Sequence, residues 1–125
     1  MSNQGRPFGL TIEQREEYLY ARVKSLSISL EDFAELLNDL SDECARCSCE
    51  KILLYRDVPS MPGVGNTFEI VSAMLRLLPG LRVAIVNPYP SNSDLLDFAS
   101  NLAQTRGYAL AIFPDEPSAL EWLEL

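Results

Sequence analysis

Three short apolar runs constrain this chain most: Lys51-Ile-Leu-Leu-Tyr55, Val83-Ala-Ile-Val86 and Leu110-Ala-Ile-Phe113. Each lacks the polar alternation of a half-exposed strand and is too short for a buried helix. Each therefore reads as a strand covered on both faces. Longer stretches with apolar residues at helical spacing separate them, and that alternation predicts parallel strands joined by helical crossovers.

The rest of the chain fits around these runs. Phe8, Leu10 and Ile12 alternate with Gly9, Thr11 and Glu13; Leu19, Ala21 and Val23 alternate with Tyr18, Tyr20 and Arg22. The short charged connection between them predicts an antiparallel hairpin. Ser29-Leu-Glu-Asp32 has the form of a capping box, and Phe33, Leu36, Leu37 and Leu40 follow at helical spacing up to the cysteines. Asn66-Thr-Phe-Glu69 reads as a second capping box, opening a helix with Ile70, Val71, Met74, Leu75 and Leu78 on one stripe and Pro79-Gly80 at its end.

A third helix is predicted to start at Asn92 or Ser93, to turn Leu95, Leu96, Ala99, Leu102 and Ala103 inward, and to end at a left-handed Gly107. Asp115 caps a closing helix with Pro117 in its first turn, where a missing N–H costs little. Ala119, Leu120 and Leu123 face inward, and Trp122 locks this helix onto the sheet. On full burial, Trp122→Ala would cost ~3–5 kcal/mol. The predicted order is β-β-α-β-α-β-α-β-α: an α/β fold with a single mixed sheet, an N-terminal hairpin and then parallel strands. Residues 1–125 read as one domain, with residues 1–7 as a flexible tail.

Composition excludes several function classes. The net charge of −8 opposes nucleic acid, whose phosphates require Lys and Arg, and opposes docking on anionic lipid. No apolar run approaches the ~20 residues of a membrane span, and no signal peptide is apparent. The odd, clustered Cys44, Cys47 and Cys49 suit a reducing cytoplasm, the expected location, rather than a disulfide framework. The chain has no histidine, which removes Ser-His-Asp and Cys-His nucleophile systems and histidine-ligated metals.

The element order, the strand ending in Asp57 with its following loop, Val83-Ala-Ile-Val86, Arg106-Gly107 and the closing Phe113…Ala119…Trp122-Leu123 together resemble the STAS superfamily of bacterial anti-sigma factor antagonists. More narrowly, they resemble a group of uncharacterised bacterial proteins similar to those antagonists and to Sec14-type lipid-binding domains. The resemblance runs from Phe8 to Leu123. It implies a STAS-like fold and a non-enzymatic regulatory role through protein binding. Family antagonists carry an Asp-Ser-Ser/Thr-Gly phosphoacceptor at the loop entering the helix after the third strand. Here that loop is Pro59-Ser-Met-Pro-Gly-Val-Gly65, and Pro62 or Gly63, without a hydroxyl, stands at the acceptor position. Ser60 and Thr67 are nearby hydroxyls outside the motif.

The residues offer few chemical groups. Gly63-Val-Gly-Asn-Thr67 precedes a helix and presents backbone amides to an anion. It lacks the Lys of a phosphate-binding loop and the third glycine of a dinucleotide fold, so a plain turn explains it. Cys44 and Cys47 continue the first helix's apolar stripe, and three thiols fall one ligand short of a tetrahedral zinc site; packing is the better reading. Asp57, Asn87 and Asp115 close three successive strands and lie on the rim that ligands favour in open α/β sheets. A receiver-type Mg²⁺ site would also need two acidic residues at the first strand, where this chain forms a hairpin, and a lysine at the last, where Phe113-Pro114 stands. No cofactor or metal is predicted.

Two readings follow. The first is a protein-interaction module whose partner meets the loop of Ser60, Met61, Gly63, Val64, Gly65, Asn66 and Thr67. The alternative is a carrier or sensor of a small apolar, lipid-like ligand between the sheet and the second helix, with Tyr18, Tyr20, Tyr55, Met61, Phe68 and Met74 as lining. An enzyme ranks third, with no credible reaction. The hairpin's edge strand offers a homodimer contact, with Arg22 and Lys24 as the charges that would blunt it.

Overall fold

The computed structural model describes residues 8–60 and 64–124. The tail expected over residues 1–7, and Met61, Pro62 and Gly63 of the loop, lie outside the described residues.

Five strands form one sheet in the order β1-β2-β3-β4-β5. β1 (Gly9–Gln14) and β2 (Leu19–Lys24) pair antiparallel; β3 (Lys51–Asp57), β4 (Arg82–Val86) and β5 (Ala109–Phe113) add in parallel. The helices are α1 (Leu30–Cys47), α2 (Val64–Leu77), α3 (Ser93–Thr105) and α4 (Glu116–Leu123), with a 3₁₀ turn at Pro90–Asn92 before α3. The predicted mixed sheet, with its hairpin and parallel crossovers, is the observed one.

Strand alternation divides the core in two. Leu19, Ala21, Val23, Ile52, Leu54, Val83, Ile85 and Leu110 face the layer formed by α1, α2 and α3. Tyr18, Tyr20, Leu53, Ala84 and Val86 face α4, which contributes Ala119 and Leu123. β3 and β4 are thus covered on both faces, as their unbroken apolar runs require. Each fully buried leucine, such as Leu36, Leu37 or Leu53, contributes roughly 1.5–3 kcal/mol by leaving water.

The caps are mostly those of the sequence reading. The Asp32 amide donates to Ser29 Oγ at 3.1 Å, and the Ser118 amide to Asp115 Oδ1 at 2.9 Å. At the end of α3, Gly107 has φ +79°, and the Tyr108 and Gly107 amides donate to the Ala103 and Gln104 carbonyls. This is a Schellman closure, and the left-handed residue it needs is glycine.

Four expectations need correction. α2 starts at Val64, so Asn66 and Thr67 lie inside its first turn rather than at a cap. Asn92 is the residue before α3, but its side chain caps nothing there; its amide donates instead to the Val58 carbonyl at 3.2 Å. Arg22 and Lys24 do not blunt an edge, because β2 lies between β1 and β3 and the hairpin's edge is β1. Trp122 is half-buried rather than buried: its ring lies 3.9 Å beneath the Arg82 guanidinium and 5.7 Å from the Phe113 ring.

Candidate functional site

The C-terminal ends of β2, β3 and β4 meet the loop that leads into α2, and the polar residues gather there. Arg56 and Asp57 end β3 and, as successive strand residues, point to opposite faces. Asp57 accepts the Tyr89 hydroxyl at 2.5 Å and an Arg22 N–H at 3.2 Å. The Tyr89 hydroxyl, with Arg22 second, holds the Asp57 carboxyl below its ordinary range, and the same bond pushes the Tyr89 phenol up. Arg22 also lies over the Tyr55 ring at 4.7 Å. This carboxylate is fully engaged by its own protein.

Arg56 points toward the three-helix layer and is buried, with 7% of its surface exposed. Its guanidinium donates to the Val58 carbonyl at 2.7 Å and to the Ser60 carbonyl at 2.8 Å. Burial lowers it to about 10, so it stays charged at neutral pH. Together with Asn92 on the Val58 carbonyl, it fixes the path of the chain into the loop. Asn87 closes the neighbouring turn: its amide donates to the Tyr89 carbonyl at 2.9 Å, and its oxygen accepts the Tyr89 amide at 3.2 Å.

Asp57, Asn87 and Asp115 stand at or just beyond the C-terminal ends of the parallel β3, β4 and β5, but their side chains do separate local work. Asp57 bridges to Arg22 and Tyr89, Asn87 braces its own turn, and Asp115 caps α4. Among the described residues, no group of three His, Cys, Asp or Glu side chains could hold a metal ion, the cysteines included.

Of the loop residues, Ser60 is exposed and its carbonyl is the one Arg56 holds. Met61 and Gly63 lie outside the described residues; Val64 and Gly65 open α2. Asn66 is exposed, whereas Thr67 is sealed at 2% exposure and is no accessible hydroxyl. Immediately after it, Phe68 is 44% exposed and meets Phe98 of α3, itself 36% exposed, edge to face at 5.6 Å. This pair places an aromatic patch beside the loop, on the outer surface of the helical layer.

That layer is also the acidic part of the molecule. Six carboxylate residues lie on α1, one on α2 and two on α3, against only Arg46 and Arg76. Nearly all of the chain's net charge of −8 therefore sits there.

The aromatic pocket expected from the sequence is not assembled. Tyr18, Tyr20 and Tyr55 pack on the α4 face, while Phe68 is exposed. Of that set, among the described residues, only Met74 lines the apolar cavity found between the sheet and α1–α3, with Val23, Leu54, Leu96, Arg56 and Thr67 also around it; its volume is about 50 Å³. The residues that sequence reasoning missed were Arg56 and Tyr89; Asn92 was read as a helix cap rather than as a partner of the Val58 carbonyl. Arg56 follows directly on the apolar run Lys51-Ile-Leu-Leu-Tyr55 and precedes Asp57, so its position in the sequence reads as an ordinary charged strand end.

The sequence matches no known family model and no curated protein. Among solved structures, an anti-sigma factor antagonist from Mycobacterium paratuberculosis has a similar architecture, with a TM-score of 0.59 over 94% of this chain and 95% of that one at 14% identity. The likeness shows the fold, which is STAS-like. Among the described residues, no helix is long and apolar enough to cross a membrane.

Proposed function

We propose that this chain is a non-enzymatic regulatory module that binds a protein partner through the loop of residues 59–67 and the adjoining Phe68–Phe98 patch. The exposed aromatic pair carries the reading. Large aromatic side chains at a surface are enriched where proteins meet, and this pair sits directly beside the loop whose entry Arg56 holds in place. The acidic helical layer around it favours a partner with a basic contact surface. The STAS-like fold agrees with this role.

The reading departs from phosphorylation-gated partner switching. Pro62 or Gly63 stands where the resembling family carries its acceptor hydroxyl, and Thr67 is buried. Binding is then set by the partner's availability rather than by a phosphoryl group at that position.

The test is affinity capture with the folded protein from its native lysate. A partner should be retained at low salt, weaken as salt rises, and be lost with Phe68→Glu or Phe98→Glu, while the exposed Arg106→Glu control retains it. Equal retention by the Phe68 and Phe98 variants, with unchanged melting temperatures, would remove the patch from the interface.

A second reading, carriage of a small apolar ligand, rests on the cavity. Its volume of about 50 Å³ is far below the ~300–1,000 Å³ of ordinary ligand pockets. A lipid-sized occupant would have to displace core side chains. Native mass spectrometry separates the readings: a stoichiometric adduct favours the ligand, and a clean apo mass favours the interaction module.

A further inference from the structure

Cys47 and Cys49 stand apart from everything the proposed interface uses. Cys47 is the last residue of α1, Cys49 precedes β3, and Ser48 between them is left-handed, with φ 58° and ψ 34°. Two residues separated by one other lie at most ~7 Å apart at Cα, and the left-handed turn brings them closer. A disulfide needs Cα atoms ~4.4–6.8 Å apart. The turn is fixed independently of the thiols, because the Cys49 amide donates to the Cys44 carbonyl at 3.2 Å. Within it the Cys47 and Cys49 sulfurs face each other in direct contact, and both side chains are part-buried rather than sealed. Cys44 is different: it is buried in the core cluster beneath α1.

We propose that Cys47 and Cys49 form a vicinal dithiol site that undergoes exchange with low-molecular-weight disulfides and closes reversibly to an internal disulfide, with Cys44 as a bystander. Cys47 attacks one sulfur of the small disulfide, its proton goes to the departing thiol, and a mixed disulfide forms. Cys49 then attacks the Cys47 sulfur and releases the second small thiol. Two protein thiols are oxidised, and one small disulfide is reduced to two thiols. Burial first, then its contact with Cys47, pushes the Cys49 thiol up, which favours Cys47 for the first step. The Ser48 turn already has the required shape, so oxidation fixes the junction of α1 and β3 without rearranging the fold.

The sequence supplies a clean assay. Trypsin cuts after Arg46 and Lys51, so the fragment Cys47-Ser-Cys-Glu-Lys51 carries both reactive thiols and leaves Cys44 on another peptide. The folded protein is equilibrated with glutathione disulfide, free thiols are alkylated, and the digest is read by mass. The fragment should be unalkylated and lighter by two hydrogens, with Cys44 alkylated. Cys49→Ser should stop at the mixed disulfide, with one glutathione on Cys47. In urea the mixed disulfide should replace the internal one as the main product. A doubly alkylated fragment, a link to the Cys44 peptide, or the same internal-disulfide yield in urea as in buffer would each overturn the proposal.

Discussion

Asp57 draws its partners from far along the chain: Arg22 lies 35 residues before it and Tyr89 lies 32 after. The pair depresses its carboxyl, so folding favours the ionised form. The stabilisation is fully present above the unfolded carboxyl value of about 3.9. It is lost as pH falls through the lower folded value. Asp57→Asn should therefore be less stable than the parent at pH 7, and the gap in urea midpoint should close below about pH 4. A gap that persists unchanged at pH 2 would show that the carboxylate's charge is not what the site uses. Distance in sequence also explains what was legible at this scale. The Asp115 cap spans three residues and the Gly107 closure five, so both could be read from local spacing. Arg56 stands at the charged end of the run Lys51-Ile-Leu-Leu-Tyr55, and its two acceptors became known only with the loop's path. That Asp57, Asn87 and Asp115 stand at or just beyond the ends of three parallel strands follows from the strand order. That each side chain has its own separate partner does not, because residue type does not give direction.

At the scale of elements, every predicted strand and helix is present. The misplaced starts share one cause: a polar residue that suits a helix cap was assigned as one. Asn66 lies within α2, and Asn92 turns to the Val58 carbonyl, a tertiary bond that competes with capping. Where the cap is real, its loss is measurable. Asp115→Ala should cost about 1 kcal/mol in chemical denaturation, by orphaning the Ser118 amide and loosening the first turn of α4. Trp122→Ala should cost about 1–3 kcal/mol, less than the ~3–5 of a fully buried aromatic. The ring is half-exposed and trades part of its packing for the Arg82 guanidinium above it. Arg82 also donates to the Trp122 carbonyl at 2.7 Å. A loss above about 5 kcal/mol would mean that α4 is held more tightly than its exposed face indicates.

The whole molecule separates its tasks by face. One side of the sheet carries the short α4, and the other carries three helices with most of the negative charge, the aromatic pair and the cavity. The layering was legible because unbroken apolar runs require cover on both faces. The cavity was not, since a void depends on how neighbouring side chains fill the space. It makes a prediction of its own: Val23→Ile adds one methylene toward a space of about 50 Å³. If that space is empty, the variant should gain about 0.8 kcal/mol. A loss of stability would indicate that the space is already filled.

The central claim, that a partner meets the face bearing Phe68 and Phe98, is tested most directly by site-specific photo-crosslinking in the native host. A photoreactive residue replaces Phe68 in one variant and Glu121, exposed on α4, in another. The account predicts a discrete protein adduct at position 68 and none at 121. No adduct at 68, or equal adducts at both positions, would contradict it.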